Sequence, residues 1–305
     1  MSTRRETTDS IAVLGGAGFL GARVVRRALC EGARSVQSLS RDPARFPRLE
    51  DPRLRRVVAD ALREGELEHA LVELAPARIV LCTALARGAD CDAYPELARK
   101  LNVELPGRVA RVARELGARL VLVSSDLVFG GTAPPPAGFS ETAAPSPLSL
   151  YGQTKLDGER AVLAEYPAAL VCRLPLLFGE SEGRGLGASD SLSAAAARGE
   201  SLALFTDEWR TPLDVDDAAA ALVELASGDL AGLLHVAGPT RLSRWELGQL
   251  VLDPQRFDEH VRATTRADLG LAACRPEDTA LDASRARGLL RCDLRSPAAA
   301  LVGRA

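Results

Sequence analysis

The stretch that most limits how this chain can fold is Gly15-Gly16-Ala17-Gly18-Phe19-Leu20-Gly21, placed directly after the short apolar run Ser10 to Leu14. An apolar run of five residues bounded by glycine reads as a buried parallel strand, and the amphipathic residues that follow, to about Glu31, read as a helix. Glycines at 15, 18 and 21 suit a strand-to-helix turn. They permit a tight bend, close approach of the backbone to a phosphate, and close packing of helix on strand. The helix N-terminus adds free N–H groups and the positive end of a dipole. Gly15, Gly18, Phe19, Leu20 and Gly21 are therefore the expected pyrophosphate contacts of a dinucleotide.

The rest of the first half continues the alternation. Strands are expected at Ser35 to Leu39, Leu54 to Ala59, Arg78 to Ala84, Arg119 to Ser124 and Ala168 to Arg173. Helices are expected at Glu64 to Leu74, at Ala93 to Gly117 with a kink at Pro106, and after Leu150. Strands alternating with helices imply an α/β fold, a doubly wound Rossmann-type parallel sheet with ligands outside the carboxyl ends of its strands. The alternation weakens after Leu174. This divides the chain into a dinucleotide-binding domain over 1–173 and a mainly smaller α/β substrate lobe over 174–305, with some segments returning to the first domain. In the lobe, Ser243 and Glu246 have the spacing of a capping box at the start of a helix.

The second strand ends in Ser40-Arg41-Asp42. An acid in place of Ser40 would bind the adenosine ribose diol and favour NAD. A small hydroxyl followed by a guanidinium suits a 2′-phosphate, so NADP(H) is favoured over NAD(H).

Tyr151-Gly152-Gln153-Thr154-Lys155 carries the chemistry. The chain holds 38 Lys and Arg together, of which only Lys100 and Lys155 are lysines, and only three tyrosines. The chance that one of those tyrosines precedes a lysine by four residues is roughly 2%, and four is the spacing that places two side chains on one helix face. A compact ammonium does what a wide guanidinium cannot. A neighbouring cation favours phenolate over phenol, and bringing a tyrosine from about 10 to about 7 takes about 4 kcal/mol. Such a tyrosine exchanges protons with a hydroxyl or ketone near neutral pH.

Composition narrows the function class further. A formal net charge of -3 and a pI near 5.8 give no general attraction to nucleic acid or anionic membrane. The six cysteines show no CxxC spacing and read as reduced, mostly buried thiols of a cytoplasmic protein. The polar N-terminus, MSTRRETTDS, lacks the apolar run of a signal peptide, and no apolar stretch is long enough for a membrane span. The three histidines are scattered, so no metal site is expected.

GGAGFLG, VSSDLVFGG, YGQTK, RLPLLFG and RTPLDVDDAA, in that order, resemble an extended short-chain dehydrogenase/reductase. The run from SSDLVFGG to FSETAAPSPLSLYGQTKLDGE, with a late RPEDTALD, is similar to the dTDP-4-dehydrorhamnose reductase branch. The resemblance covers nearly the whole chain. It implies that Ser125 hydrogen-bonds the reacting oxygen and that Tyr151 donates the proton in reduction. It implies that Lys155 holds the nicotinamide ribose and tunes Tyr151. It places the adenine near Asp60 and Ala61, the dinucleotide along Thr83, Ala84 and Leu85, and a backbone contact near Leu174 and Pro175. Asp126 and Leu127 fall at substrate-contact positions. The branch commonly has a tyrosine where this chain has Leu127. Trp209 and Arg210 are further substrate candidates, an aromatic plane and a cation for a sugar or phosphate; alternatively Trp209 packs the lobe and Arg210 pairs with Asp214.

The expected function is NAD(P)H-dependent reduction of a ketone, a 4-keto nucleotide sugar or a related small molecule of secondary metabolism. Epimerisation or dehydration with retained cofactor is the first alternative, with Asp126 as the extra carboxylate. A non-catalytic regulatory subunit resembling the β subunit of methionine adenosyltransferase is the second. Members of the superfamily often associate, so a homodimer is compatible with the resemblance.

Overall fold

The computed structural model describes residues 9–302; the polar N-terminal stretch read above lies, up to residue 8, outside the described residues. A seven-stranded parallel sheet with flanking helices is the centre of the fold, as the alternation predicts. Its elements are β1 (Ser10–Leu14), α1 (Phe19–Cys30), β2 (Ser35–Ser40), β3 (Leu54–Val58), α2 (Glu66–Leu74) and β4 (Arg78–Leu81). Next come α3 (Gly88–Ala93), α4 (Pro95–Arg99), α5 (Leu105–Leu116), β5 (Arg119–Ser125), α6 (Leu150–Glu165) and β6 (Leu170–Leu174). The seventh strand is Gly232–His235, and the order across the sheet is Gly232–His235, β6, β5, β4, β1, β2, β3. The order reverses at β1, with β4 on one side and β2 on the other. That reversal opens a crevice at the carboxyl ends of these strands.

Two compact units share the chain. The first takes residues up to Ser124, Thr154–Cys172 and Ala219–Leu233. Its core is Ile79, Leu81, Leu105, Val109, Leu120 and Leu122 with their neighbours, all but excluded from solvent. β1 is buried at all five positions, which explains its unbroken apolar sequence: helices cover both faces. The second unit takes Ser125–Gln153, Arg173–Ala218 and the chain from Leu234 onward. It is built on short strand pairs, Leu202–Phe205 with Val261–Thr264 and Trp209–Arg210 with Leu242–Ser243, and on a core of Leu192, Ala196, Leu252, Phe257 and Val261. The stretch 125–153 thus clusters with the later residues, a pairing no local pattern announces. The capping box forms as expected: Ser243 Oγ accepts from the Glu246 N–H at 3.1 Å, and Glu246 accepts from the Ser243 N–H at 2.8 Å.

The helix expected over 93–117 differs in a way that matters. It breaks into α4, a π-helical turn over Lys100–Glu104, and α5. Pro106 has no N–H for the carbonyl four residues earlier, Asn102, and the chain widens there instead of kinking at the proline. None of the six cysteines forms a disulfide, but only Cys91 and Cys172 belong to the buried class, and Cys30 and Cys274 are exposed. No helix of the described residues is long and apolar enough to cross a membrane.

Candidate active site

In the first unit the glycine turn joins the carboxyl ends of β1, β2 and β4. The N–H groups of Gly15 and Gly16 donate to the Leu39 carbonyl at 2.9 and 3.1 Å. Gly15 has φ +80°, and a Cβ there would press on Thr83 N and Oγ1 at 3.0 Å. A Cβ on Gly21 would overlap the Gly15 carbonyl. Gly18 caps α1 without a side-chain hydrogen bond, and the first turn contains no acid. Its N–H groups are thus left for an anion. A turn that only glycine can form, open to the backbone and ending at an uncapped helix, fits the pyrophosphate of a dinucleotide.

Further cofactor candidates lie in the same unit. Ser40 closes β2, and its Oγ accepts from the Asp42 N–H at 3.4 Å. Asp42 caps a 3-10 turn, accepting from Ala44 N–H at 3.0 Å and pairing with Arg45 at 3.1 Å. Arg41 is exposed. Asp60 accepts from the Leu62 N–H at 3.0 Å, and the Ala61 carbonyl accepts from Arg108 Nη2 at 2.7 Å. Thr83 and Ala84 follow β4, and Leu85 is tied by both backbone groups to the Asn102 side chain, at 2.9 and 3.1 Å. Leu174 ends β6 and is buried with Pro175, in the second unit.

Tyr151 and Lys155 both lie on α6, one turn apart, as their spacing requires. Lys155 is 3% exposed and donates to the Val123 carbonyl at 2.7 Å. Burial brings its pKa down from 10.5 to about 8, against the opposing pull of Glu159. Glu159 is buried and accepts the Ser124 hydroxyl. Burial likewise pushes the Cys82 and Cys172 thiols up to about 12, so neither is a thiolate at neutral pH.

Two glycines of α6 and one asparagine escaped the sequence reading. A Cβ on Gly152 would overlap the Leu127 carbonyl, so the helix turn carrying Tyr151 packs directly on the backbone that follows Ser125. A Cβ on Gly158 would overlap the Asn102 carbonyl. Asn102, 1% exposed, also donates to Thr154 Oγ1 at 3.0 Å. The signal for Asn102 was there in part: a polar residue four positions before a proline, on the face that Ala98, Leu101, Leu105 and Val109 make apolar.

Ser125 ends β5 in the second unit, 7% exposed. Its Oγ accepts from the Leu127 N–H at 3.1 Å and donates to Asp126 Oδ1 at 3.1 Å. Asp126 and Arg210, both candidates for substrate contact, form a buried two-pronged ion pair with each other. Asp214, the partner weighed for Arg210, is 3.5 Å from Arg295. Leu127 is half-buried. One face of the Trp209 ring is covered by Arg241 at 4.1 Å, which also pairs with Asp278 at 2.7 Å.

The family model described as "RmlD substrate binding domain" matches residues 9–302. The methionine adenosyltransferase 2 subunit beta of Rattus norvegicus is 34% identical over 233 residues, 73% of this chain and 68% of that protein. The probable low-salt glycan biosynthesis reductase Agl14 of Haloferax volcanii is 30% identical over 285 residues, 92% of each. The crystal structure of a hypothetical dTDP-4-dehydrorhamnose reductase from Sulfolobus tokodaii aligns with a TM-score of 0.77 at 25% identity, covering 94% of this chain and 97% of that one. The chain belongs to the RmlD substrate binding domain family, an NAD(P)-binding branch of the extended short-chain dehydrogenases/reductases.

Proposed function

We propose that the protein is an NADPH-dependent reductase of a ketone, and that its substrate is a 4-keto nucleotide sugar. The observation that carries this reading is the pairing on α6: Lys155, buried and with a pKa of about 8, one turn beyond Tyr151. Ser125, Tyr151 and Lys155 are the groups assigned to the reaction. When bound, the dihydronicotinamide supplies a hydride to the carbonyl carbon. Tyr151 gives its phenolic proton to the carbonyl oxygen, and Ser125 donates a hydrogen bond to that oxygen as negative charge grows on it. The Lys155 ammonium steadies the phenolate left on Tyr151 and would hold the nicotinamide ribose. The glycine turn would hold the pyrophosphate.

The preference for NADPH is supported by what Asp42 does. Its carboxylate is occupied by its own turn and by Arg45, while Arg41 makes no ion pair with any described residue. Ser40 and Arg41 would then receive the 2′-phosphate. The relatives named as reductases support the substrate class. Dehydration is disfavoured because the carboxylate it would enlist, Asp126, is 0% exposed and bound to Arg210. The 34% identity to methionine adenosyltransferase 2 subunit beta makes a regulatory subunit the second reading.

The test is to follow NADPH absorbance at 340 nm with a 4-keto nucleotide sugar and identify the product. Stoichiometric NADPH loss and a new secondary alcohol are expected. Conversion of sugar without net NADPH loss moves the protein to the epimerase or dehydratase class. No conversion, with firm binding to a methionine adenosyltransferase, moves it to the regulatory reading.

A further inference from the structure

Asp126 is fully buried, and both carboxylate oxygens are engaged by groups of the same compact unit. Oδ1 receives the Ser125 hydroxyl at 3.1 Å and an N–H of Arg210 Nη2. Oδ2 receives Arg210 Nε and the Thr279 hydroxyl, the latter at 3.1 Å. Arg210 is 7% exposed, with Glu208 3.8 Å from its other amino group. Burial opposes the Arg210 charge, but Asp126, then Glu208 and the Tyr151 phenol, keep its pKa above the ordinary arginine value.

An ion pair this deep is an inefficient way to hold two segments together, because desolvation offsets most of the attraction and an apolar pair does as well. What an apolar pair cannot do is direct a hydroxyl proton. A serine hydroxyl turns to suit its partners. Here the Leu127 N–H fixes one side of Ser125 Oγ and Asp126 takes its proton. Arg210 occupies an acceptor position on each oxygen of Asp126, which fixes the carboxylate as the acceptor that faces the serine hydroxyl.

We propose that Asp126 and Arg210 form a positioning pair for the reacting groups: Asp126 holds the Ser125 hydroxyl proton until a ketone oxygen replaces it, and Arg210 fixes Asp126 beside the helix turn of Tyr151, which packs on the Leu127 carbonyl through Gly152. Thr279, 153 residues along the chain from Asp126, completes the anchor. The inference rests on the ketoreductase reading of Ser125 and Tyr151.

The experiment uses the full chain with Asp126→Asn, Arg210→Gln and the apolar double variant Asp126→Leu/Arg210→Met. Without any ketone, the ionisation of Tyr151 is followed at 295 nm as the step that Tyr151→Phe removes. Other charged groups of the cluster, Glu208, Arg244 and Arg275, and Lys155 on α6, are the same in every variant. Arg210→Gln leaves a negative neighbour and moves the step to higher pH; Asp126→Asn leaves a positive one and moves it to lower pH. Movement in the same direction, or none, overturns the proposal, and this readout stands even if the wild type reduces no ketone, an outcome that sinks the substrate reading alone. With ketone, Asp126→Asn is expected to lose about tenfold or more in kcat, with KM and the NADPH Kd within about twofold. The double variant keeps the interior neutral and folds. Its kcat stays low if the pair positions Ser125; a return to the wild-type rate would show that the pair only holds the fold.

Discussion

The side-chain amide of Asn102 donates to the Thr154 hydroxyl at 3.0 Å, one residue before Lys155, and the same side chain binds both backbone groups of Leu85. One buried asparagine therefore ties the loop after β4 to the helix that carries Lys155.

Asn102→Ala leaves the Leu85 N–H without its partner and the Leu85 C=O with only the Cys91 thiol at 3.3 Å. Each buried polar group so stranded costs about 1–3 kcal/mol. The variant is expected to melt several degrees lower and to bind NADPH more weakly, as Leu85 follows the candidate cofactor residues Thr83 and Ala84. A thermal melt and a fluorescence titration check this; an unchanged NADPH Kd would separate Asn102 from the cofactor.

Two helix glycines should respond in opposite directions to alanine. Gly152→Ala drives a methyl into the Leu127 carbonyl and is expected to cost about 1–3 kcal/mol and most of the turnover. Gly107→Ala, on α5, meets only the Ala161 Cβ at 3.5 Å and should stabilise by up to about 1 kcal/mol through helix propensity. Chemical denaturation of both proteins makes the comparison.

The sheet was legible because its central strands β1, β4, β5 and β6 are mostly apolar, while β2 and the half-exposed β3 were placed by the alternation with helices. Tyr151 and Lys155 stand out in the sequence through their spacing and the scarcity of lysine, whereas Ser125 stands out only through the family resemblance. What the sequence could not display was pairing at a distance. Asp126 finds Arg210 84 positions later and Thr279 beyond it, and neither partner stands in a local motif that names the other. For the same reason Arg210 read either as a substrate contact or as a partner of Asp214, and not as the partner of Asp126. The π-turn escaped because Pro106 reads locally as a kink, whereas the structure spreads its missing N–H over the preceding turn.

The Lys155 pKa, lowered by burial from 10.5 to about 8, carries a definite sign. Between those values the unfolded chain holds a proton that the folded chain has released, so this group adds stability as pH rises through that window. Below about pH 8 the buried ammonium costs the cofactor-free protein stability, by about 3 kcal/mol. The advantage of Lys155→Met over wild type in melting temperature should therefore be greatest near pH 7 and shrink from pH 8 upward. Comparing the two proteins cancels the opposite trend of Cys82 and Cys172, whose raised thiol pKa values lower stability above about pH 9. A constant difference across pH 7 to 10 would place the Lys155 pKa elsewhere.

Arg41→Ala should weaken NADPH binding by tenfold or more, on the scale of about 1.5–3 kcal/mol for a charge-assisted hydrogen bond, and leave NADH nearly unchanged. Parallel fluorescence titrations decide it. Equal losses for both cofactors would remove the 2′-phosphate from Arg41.

The most direct test of the account is turnover of Tyr151→Phe beside wild type, with NADPH and a 4-keto nucleotide sugar, and with NADPH affinity measured on the same preparations. A fall in kcat of about 100-fold or more is expected with the NADPH Kd unchanged, since the phenolic proton is lost and the cofactor contacts are kept. Wild-type turnover in Tyr151→Phe would contradict it and take the proton donor away from α6.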